Sequence, residues 1–166
     1  MRPIRHLFVV LFTTAIMCFC SVASQAQGQV VASPKAPIHA CDTLAGNPID
    51  PQKVGVGVAT ALLRTEPAIR ACEEAVRLYP NELRFQFQLG RAYKQANRLE
   101  EAFRLYKQSA DKGYAGAQNS LGVMYARGES VPKDCNKAAH YFQLAADQGL
   151  QAAGDNLRLL ACVQQV

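Results

Sequence analysis

The sequence predicts an all-α protein, a short right-handed α-solenoid of antiparallel helix pairs with about six helices behind an irregular N-terminal segment. Three observations point there. From Pro67 onward, apolar residues recur at helical spacing. Leu89, Gly90 and Tyr93 return 32 residues later as Leu121, Gly122 and Tyr125, an internal period of solenoid length. Glycine, proline and asparagine break the periodicity at short intervals, as antiparallel helix pairs require. With 166 residues, 49% apolar and 19% charged, the chain has the composition of one globular domain.

The first helix is expected over 67–79, with Ala68 and Ala75 at small-residue positions and Pro80 closing it. A second follows over 82–96 and a third over 98–112, where Asn97 and Glu100 form a candidate capping pair. Helices over 115–127 and 134–148 make the next pair. Gly128 and Pro132 interrupt them, and Gly149 stands where a left-handed closing residue belongs. Over 151–164, Ala153 and Leu157 repeat the first-helix register, but Arg158 replaces the glycine, as in a terminal capping helix that nothing packs against. After Gly90, Ala102 and Tyr106 come at +12 and +16; after Gly122, Ala138 and Phe142 come at +16 and +20. The later pair therefore has a connection four residues longer.

Ala117, Leu121, Gly122, Tyr125, Gly128, Val131 and Asp134, then Lys137, Ala138, Tyr141, Ala145, Ala146 and Gly149, resemble the pattern of the Sel1-like repeats. The tighter earlier pair is similar to a tetratricopeptide repeat, so the chain resembles a hybrid of two related repeats. The resemblance implies an α-solenoid that holds protein partners together without catalysing a reaction. Cysteine-rich members of the Sel1-like family supply the alternative, a cell-wall-related or β-lactam hydrolase. Their cysteine pairs, however, sit at positions different from Cys135 and Cys162, and no Ser/Lys or Ser/His/Asp arrangement is legible here.

The N-terminus differs from the rest. Arg2 and Arg5 precede an apolar run from Leu7 to Cys20, followed by Ser21, Ala23, Ser24 and Ala26. That order reads as a signal peptide over 1–26, cleaved after Ala26 or Ala23, and the run is short for a transmembrane helix. A lipoprotein would use Cys18 or Cys20, which lack the small residues needed just before them. The expected location is periplasmic or secreted, with no membrane insertion of the mature chain. Residues 27–40, with Pro34 and Pro37, read as a flexible leader, and 41–66 as an irregular cap before the repeat domain at 67–166. The glycines of Val54–Ala59 lack the strand, helix and lysine of a phosphate loop.

Loss of Arg2 and Arg5 with the leader leaves 16 basic against 13 acidic residues, a net charge of +3. The charges alternate along helices, as in Arg98, Glu100, Glu101, Arg104 and Lys107, so no nucleic-acid partner is expected. Four cysteines remain after cleavage, Cys41, Cys72, Cys135 and Cys162. In an exported chain they are disulfide candidates with three possible pairings. Cys41 with Cys72 would pin the irregular segment over the end of the solenoid. Cys135, opening one helix, and Cys162, near the end of the antiparallel next one, should lie close together. No metal or other cofactor is expected, because no two cysteines are close in sequence and only His39 and His140 could assist. On residue types alone, a cysteine nucleophile beside His140 also stays open.

The tetratricopeptide register places Arg84, Phe87, Arg91 and Lys94 on the inner face of one unit, with Asn119, Val123 and Arg127 on that of the next. Such a set would receive an extended peptide with a carboxylate through charge-assisted hydrogen bonds. The alternative is that these are solvated side chains and Phe87 is core. The expected partner is a protein or peptide.

Overall fold

The computed structural model describes residues 36–160. The expected signal peptide, the leader up to residue 35 and Cys162 lie outside the described residues. Among the described residues there are seven α-helices and no strand: α1 (Ala40–Ala45), α2 (Thr65–Leu78), α3 (Leu83–Gln95), α4 (Leu99–Asp111), α5 (Ala115–Arg127), α6 (Cys135–Asp147) and α7 (Gln151–Leu159). From α2 onward each helix packs on the next, the nearest-neighbour arrangement of a helical repeat solenoid. The segment expected to be irregular contains α1 and a 3-10 turn at Thr60–Leu62.

Local chemistry sets the helix ends. α2 stops two residues before Pro80. Gly128 takes a left-handed conformation with φ 72° after α5, and Gly149 does the same with φ 85° after α6, closing turns that a side chain would strain. Asp134 caps α6 by accepting from the Lys137 N–H at 2.9 Å, which holds its carboxyl below the usual range. The capping role expected of Asn97 is not observed. Asn97 is itself left-handed, with φ 59°, and serves the end of α3, its N–H donating to the Lys94 carbonyl at 3.0 Å. Arg98 precedes α4 without a side-chain cap.

The glycine of each first helix sets how closely the second approaches. A methyl group on Gly90 would lie 2.6 Å from the Tyr106 ring, and one on Gly122 would lie 2.5 Å from the Phe142 ring. Both distances are far inside van der Waals contact, so the aromatic ring of α4 or α6 fills the space that a side chain at the glycine would need. Ala102 and Ala138 are fully buried beside them. The same glycine and aromatic pair recurs in both units despite the longer second loop. Arg158, at the corresponding place on α7, is exposed.

Residues 36–63 pack as a lobe against this array. Cys41 and Cys72 form a disulfide with Cα atoms 4.7 Å apart, tying α1 to α2. A loop of this length stabilises by about 3–4 kcal/mol through the unfolded state. Asp42, fully buried, accepts from Arg84 Nε at 3.1 Å and Gln88 Nε2 at 3.0 Å through Oδ1, and from the His39 N–H at 2.9 Å through Oδ2. Arg84 Nη2 donates to the carbonyls of Ala36 and Pro37, each at 2.8 Å, and Nη1 pairs with Glu82 at 2.8 Å. The end of the expected flexible leader is thus held in place. Farther along, Asp50 accepts from the Tyr114 hydroxyl at 2.7 Å and the Gln52 N–H at 2.9 Å. This sets a carboxylate beside the first turn of α5, where helix N-termini favour negative charge. Burial, then Asp50, pushes the Tyr114 phenol up.

Two stability measurements check this packing. Gly122→Ala forces Phe142 away and is expected to lower unfolding free energy in urea by about 1–3 kcal/mol, while Gly154→Ala, whose new methyl would find its nearest neighbour at 3.9 Å, should raise it by about 0.5–1 kcal/mol. Asp42→Ala and Arg84→Ala should each cost about 3–5 kcal/mol by leaving a buried charge alone, and the double variant should lose less than the two single losses added together.

Candidate functional site

α3 carries Arg84, Phe87, Arg91 and Lys94, and α5 carries Asn119, Val123 and Arg127. The structure brings all of them except Arg84 to one cavity of about 410 Å³, completed by Asn47, Thr60, Gln95, Tyr106 and Ser120. Arg84 is separate, with only 1% of its surface exposed, and every nitrogen of its guanidinium is used within the chain. Arg91, 6% exposed, touches the cavity but is likewise engaged. Its Nη1 donates to the Ala45 carbonyl at 2.5 Å, and its Nη2 to the Val58 carbonyl at 3.0 Å and Thr60 Oγ1 at 3.1 Å. The two arginines expected to hold a partner's acceptors therefore hold acceptors of the protein's own N-terminal lobe.

Arg84, Gln88 and Arg91 follow one another at four and three residues, which puts them on one stripe of α3. The lobe covers that stripe, so α3 is buried on nearly every side from Arg84 to Tyr93. Phe87, 1% exposed, is core as well as cavity floor. It packs on Tyr106 and Tyr114 with ring centroids 5.8 and 5.2 Å away, and Gly116 leaves room for its ring edge.

The rest of the cavity wall is open. Lys94 Nζ pairs with Glu129 at 2.6 Å, and Arg127 Nη1, on a side chain 68% exposed, lies 3.4 Å from the same carboxylate. Asn119 Oδ1 accepts from Asn156 Nδ2 of α7 at 2.9 Å, which orients the Asn119 amide with its NH₂ as a donor. Burial pushes the Tyr106 phenol up and lowers the Arg91 guanidinium below its ordinary value. The lining offers three cationic side chains, Arg91, Lys94 and Arg127, with several amides and hydroxyls over an aromatic floor. Its chemistry is hydrogen bonding to acceptors.

Cys41, Cys72 and Cys135 are all disulfide-bonded, which removes them as thiol nucleophiles. His140 is exposed on α6 and meets Tyr141 edge-on. The expected partner of Cys135, Cys162, is outside the described residues. Sequence reasoning missed Asp42, Gln88, Asp50 and Glu129. The stripe of Arg84, Gln88 and Arg91 was visible as a pattern, but nothing local marks Asp42 as its counter-charge across more than forty positions.

The Sel1 repeat family matches residues 84–114 and 115–150, and no solved structure matches the chain. The first match takes in α3 and α4, so the pair with the tetratricopeptide-like tight turn is itself a Sel1 repeat. The second takes in α5 and α6 with their longer loop. Sel1 repeats form helical scaffolds that mediate protein–protein interaction and are typically non-catalytic. Two tandem units with equivalent glycine and aromatic contacts, each matched by the family, make this chain a carrier of Sel1 repeats over residues 84–150.

Proposed function

We propose that the protein is an exported, non-catalytic adaptor that takes a protein or peptide partner on the open half of the face made by α3 and α5. The observation that carries this reading is the cavity between those helices, where Lys94, Asn119, Val123 and Arg127 remain accessible beside the lobe. Donors grouped around an aromatic floor suit an extended segment, whose main-chain carbonyls need partners. Arg84 and Arg91 have no part in holding the partner, because they anchor the lobe. Export is supported by the basic, apolar and small-residue order of residues 1–26 and by disulfide bonding, which persists in oxidising compartments. No helix among the described residues is long and apolar enough to cross a membrane.

The test compares the oxidised protein with a Lys94→Ala/Asn119→Ala/Arg127→Ala variant of equal helicity in pull-downs from an envelope extract. Partners recovered by the first are expected to be lost from the second, and a photo-reactive side chain placed at Val123 should cross-link to them. Equal recovery by both proteins would remove the face from consideration.

A further inference from the structure

The cavity wall has an uneven charge. Its lining includes Arg91, Lys94 and Arg127 and no acidic residue. The carboxylate that answers two of these cations, Glu129, comes from outside the lining, on the loop between α5 and α6. Gly128 turns that loop through its left-handed conformation. The Glu129 N–H then donates to the Met124 carbonyl at 3.0 Å, and the Asp134 N–H to the Tyr125 carbonyl at 2.9 Å. The loop main chain is thus pinned to the last turns of α5, and the Glu129 side chain reaches Lys94 of the preceding repeat. The four residues by which this loop exceeds the earlier one provide that reach.

The occupied half of the same face displays a ligand chemistry. There, one carboxylate, Asp42, and a series of main-chain carbonyls from Ala36, Pro37, Ala45 and Val58 meet Arg84, Gln88 and Arg91. The pattern is an acidic side chain on α1 together with main-chain carbonyls from the end of α1 and from the coil on either side of it, set on cations and an amide. The open half offers the same classes of donor in Lys94, Arg127 and Asn119. The two halves differ in burial. Asp42 and Arg84 are sealed from water, whereas Lys94, Arg127 and Glu129 keep partial exposure. Glu129 Oε2, which faces Lys94, is itself buried and makes no hydrogen bond, so a carboxylate that can also take hydrogen bonds in the cavity is able to replace it.

We propose that the partner segment is acidic and that its carboxylate displaces Glu129 from Lys94 and Arg127, making Glu129 an internal competitor that sets the threshold for binding. This rests on the reading of the α3 and α5 face as the partner site. Asn119 and Gln95 then take carbonyls of the bound segment, as Gln88 and Arg91 take acceptors of the lobe. A neutral segment has no charge to offer Lys94 and Arg127 in place of Glu129 and leaves those ion pairs intact, so the device favours acidic sequences over polar ones of equal size.

The test uses the oxidised full chain and two fluorescein-labelled decapeptides in a glycine, serine and alanine background, one with two consecutive aspartates and a twin with two asparagines. Binding is followed by fluorescence anisotropy. The acidic probe should bind more tightly than its twin. Glu129→Gln should tighten the acidic probe about two- to fivefold and leave the twin unchanged. Lys94→Ala and Arg127→Ala should weaken the acidic probe, and added salt should erase the gain from Glu129→Gln. An unchanged thermal midpoint in Glu129→Gln shows that the gain is not a change in fold. Equal binding of the two probes, or no gain with Glu129→Gln, overturns the proposal. If both probes bind alike and both are lost in the Lys94, Asn119 and Arg127 triple variant, the face remains a peptide site and only the acidic preference falls. Failure of both probes to bind either protein also overturns the acidic preference, while the envelope pull-down decides separately whether the face is used.

Discussion

The buried contact of Asp42 with Arg84 is the constraint from which much of the architecture follows. An arginine with almost no exposure and a carboxylate with none are stable only if every polar atom finds a partner, because each charge has given up its water. Here His39, Gln88 and the carbonyls of Ala36 and Pro37 supply hydrogen bonds, and Glu82 supplies a counter-charge to Arg84 Nη1, which makes no hydrogen bond of its own. The requirement reaches in two directions. Along the chain it fixes the entry into α1 and therefore the position of Cys41. Across the fold it commits one stripe of α3 to the lobe, which turns what would be a solvated helix face into an internal interface and confines any partner to the part of the face beyond it.

The repeats impose a different constraint, one of distance rather than charge. Gly90 under Tyr106 and Gly122 under Phe142 keep the two helices of each pair equally close, whatever connects them. The loop is then at liberty to vary. In the first unit it is the minimum needed to reverse direction, and in the second it has become long enough to return a side chain to the preceding unit. Packing geometry is carried by the helices, while the loop carries a contact between repeats.

How much was legible in the sequence divides along the same line. From α2 to α6, helix positions were readable to within two residues because small and aromatic residues at fixed offsets report on neighbours in the next helix, a local relation; α1 was not read, and α7 ends at Leu159, short of the expected 164. The glycine and aromatic pairing could be read directly from the spacing of Gly90 with Tyr106 and Gly122 with Phe142. The repeat register assigned Arg84 and Arg91 to a partner-binding face, and their role as anchors of the lobe was not visible. Their partners are main-chain carbonyls at Ala36, Pro37, Ala45 and Val58, and a carbonyl has no signature in residue type. Asp42 lies in a stretch of turn-forming residues where an acid is ordinary. Asn97 shows a related ambiguity: the same side chain suits a helix start or a left-handed helix end, and the three-dimensional path of the turn selects the second.

The Cys41–Cys72 bond bears on the weakest part of any short repeat array. In a solenoid each helix is supported by its neighbours, so an end helix has support on one side and frays first. α2 would be such a helix. Its link to α1, itself held through Asp42 to α3, means that α2 cannot peel away alone: its departure would have to carry α1 with it and expose a paired acid. One covalent bond thus merges the terminal helix with the interior of the array, and the N-terminal edge opens as a single cooperative block instead of turn by turn.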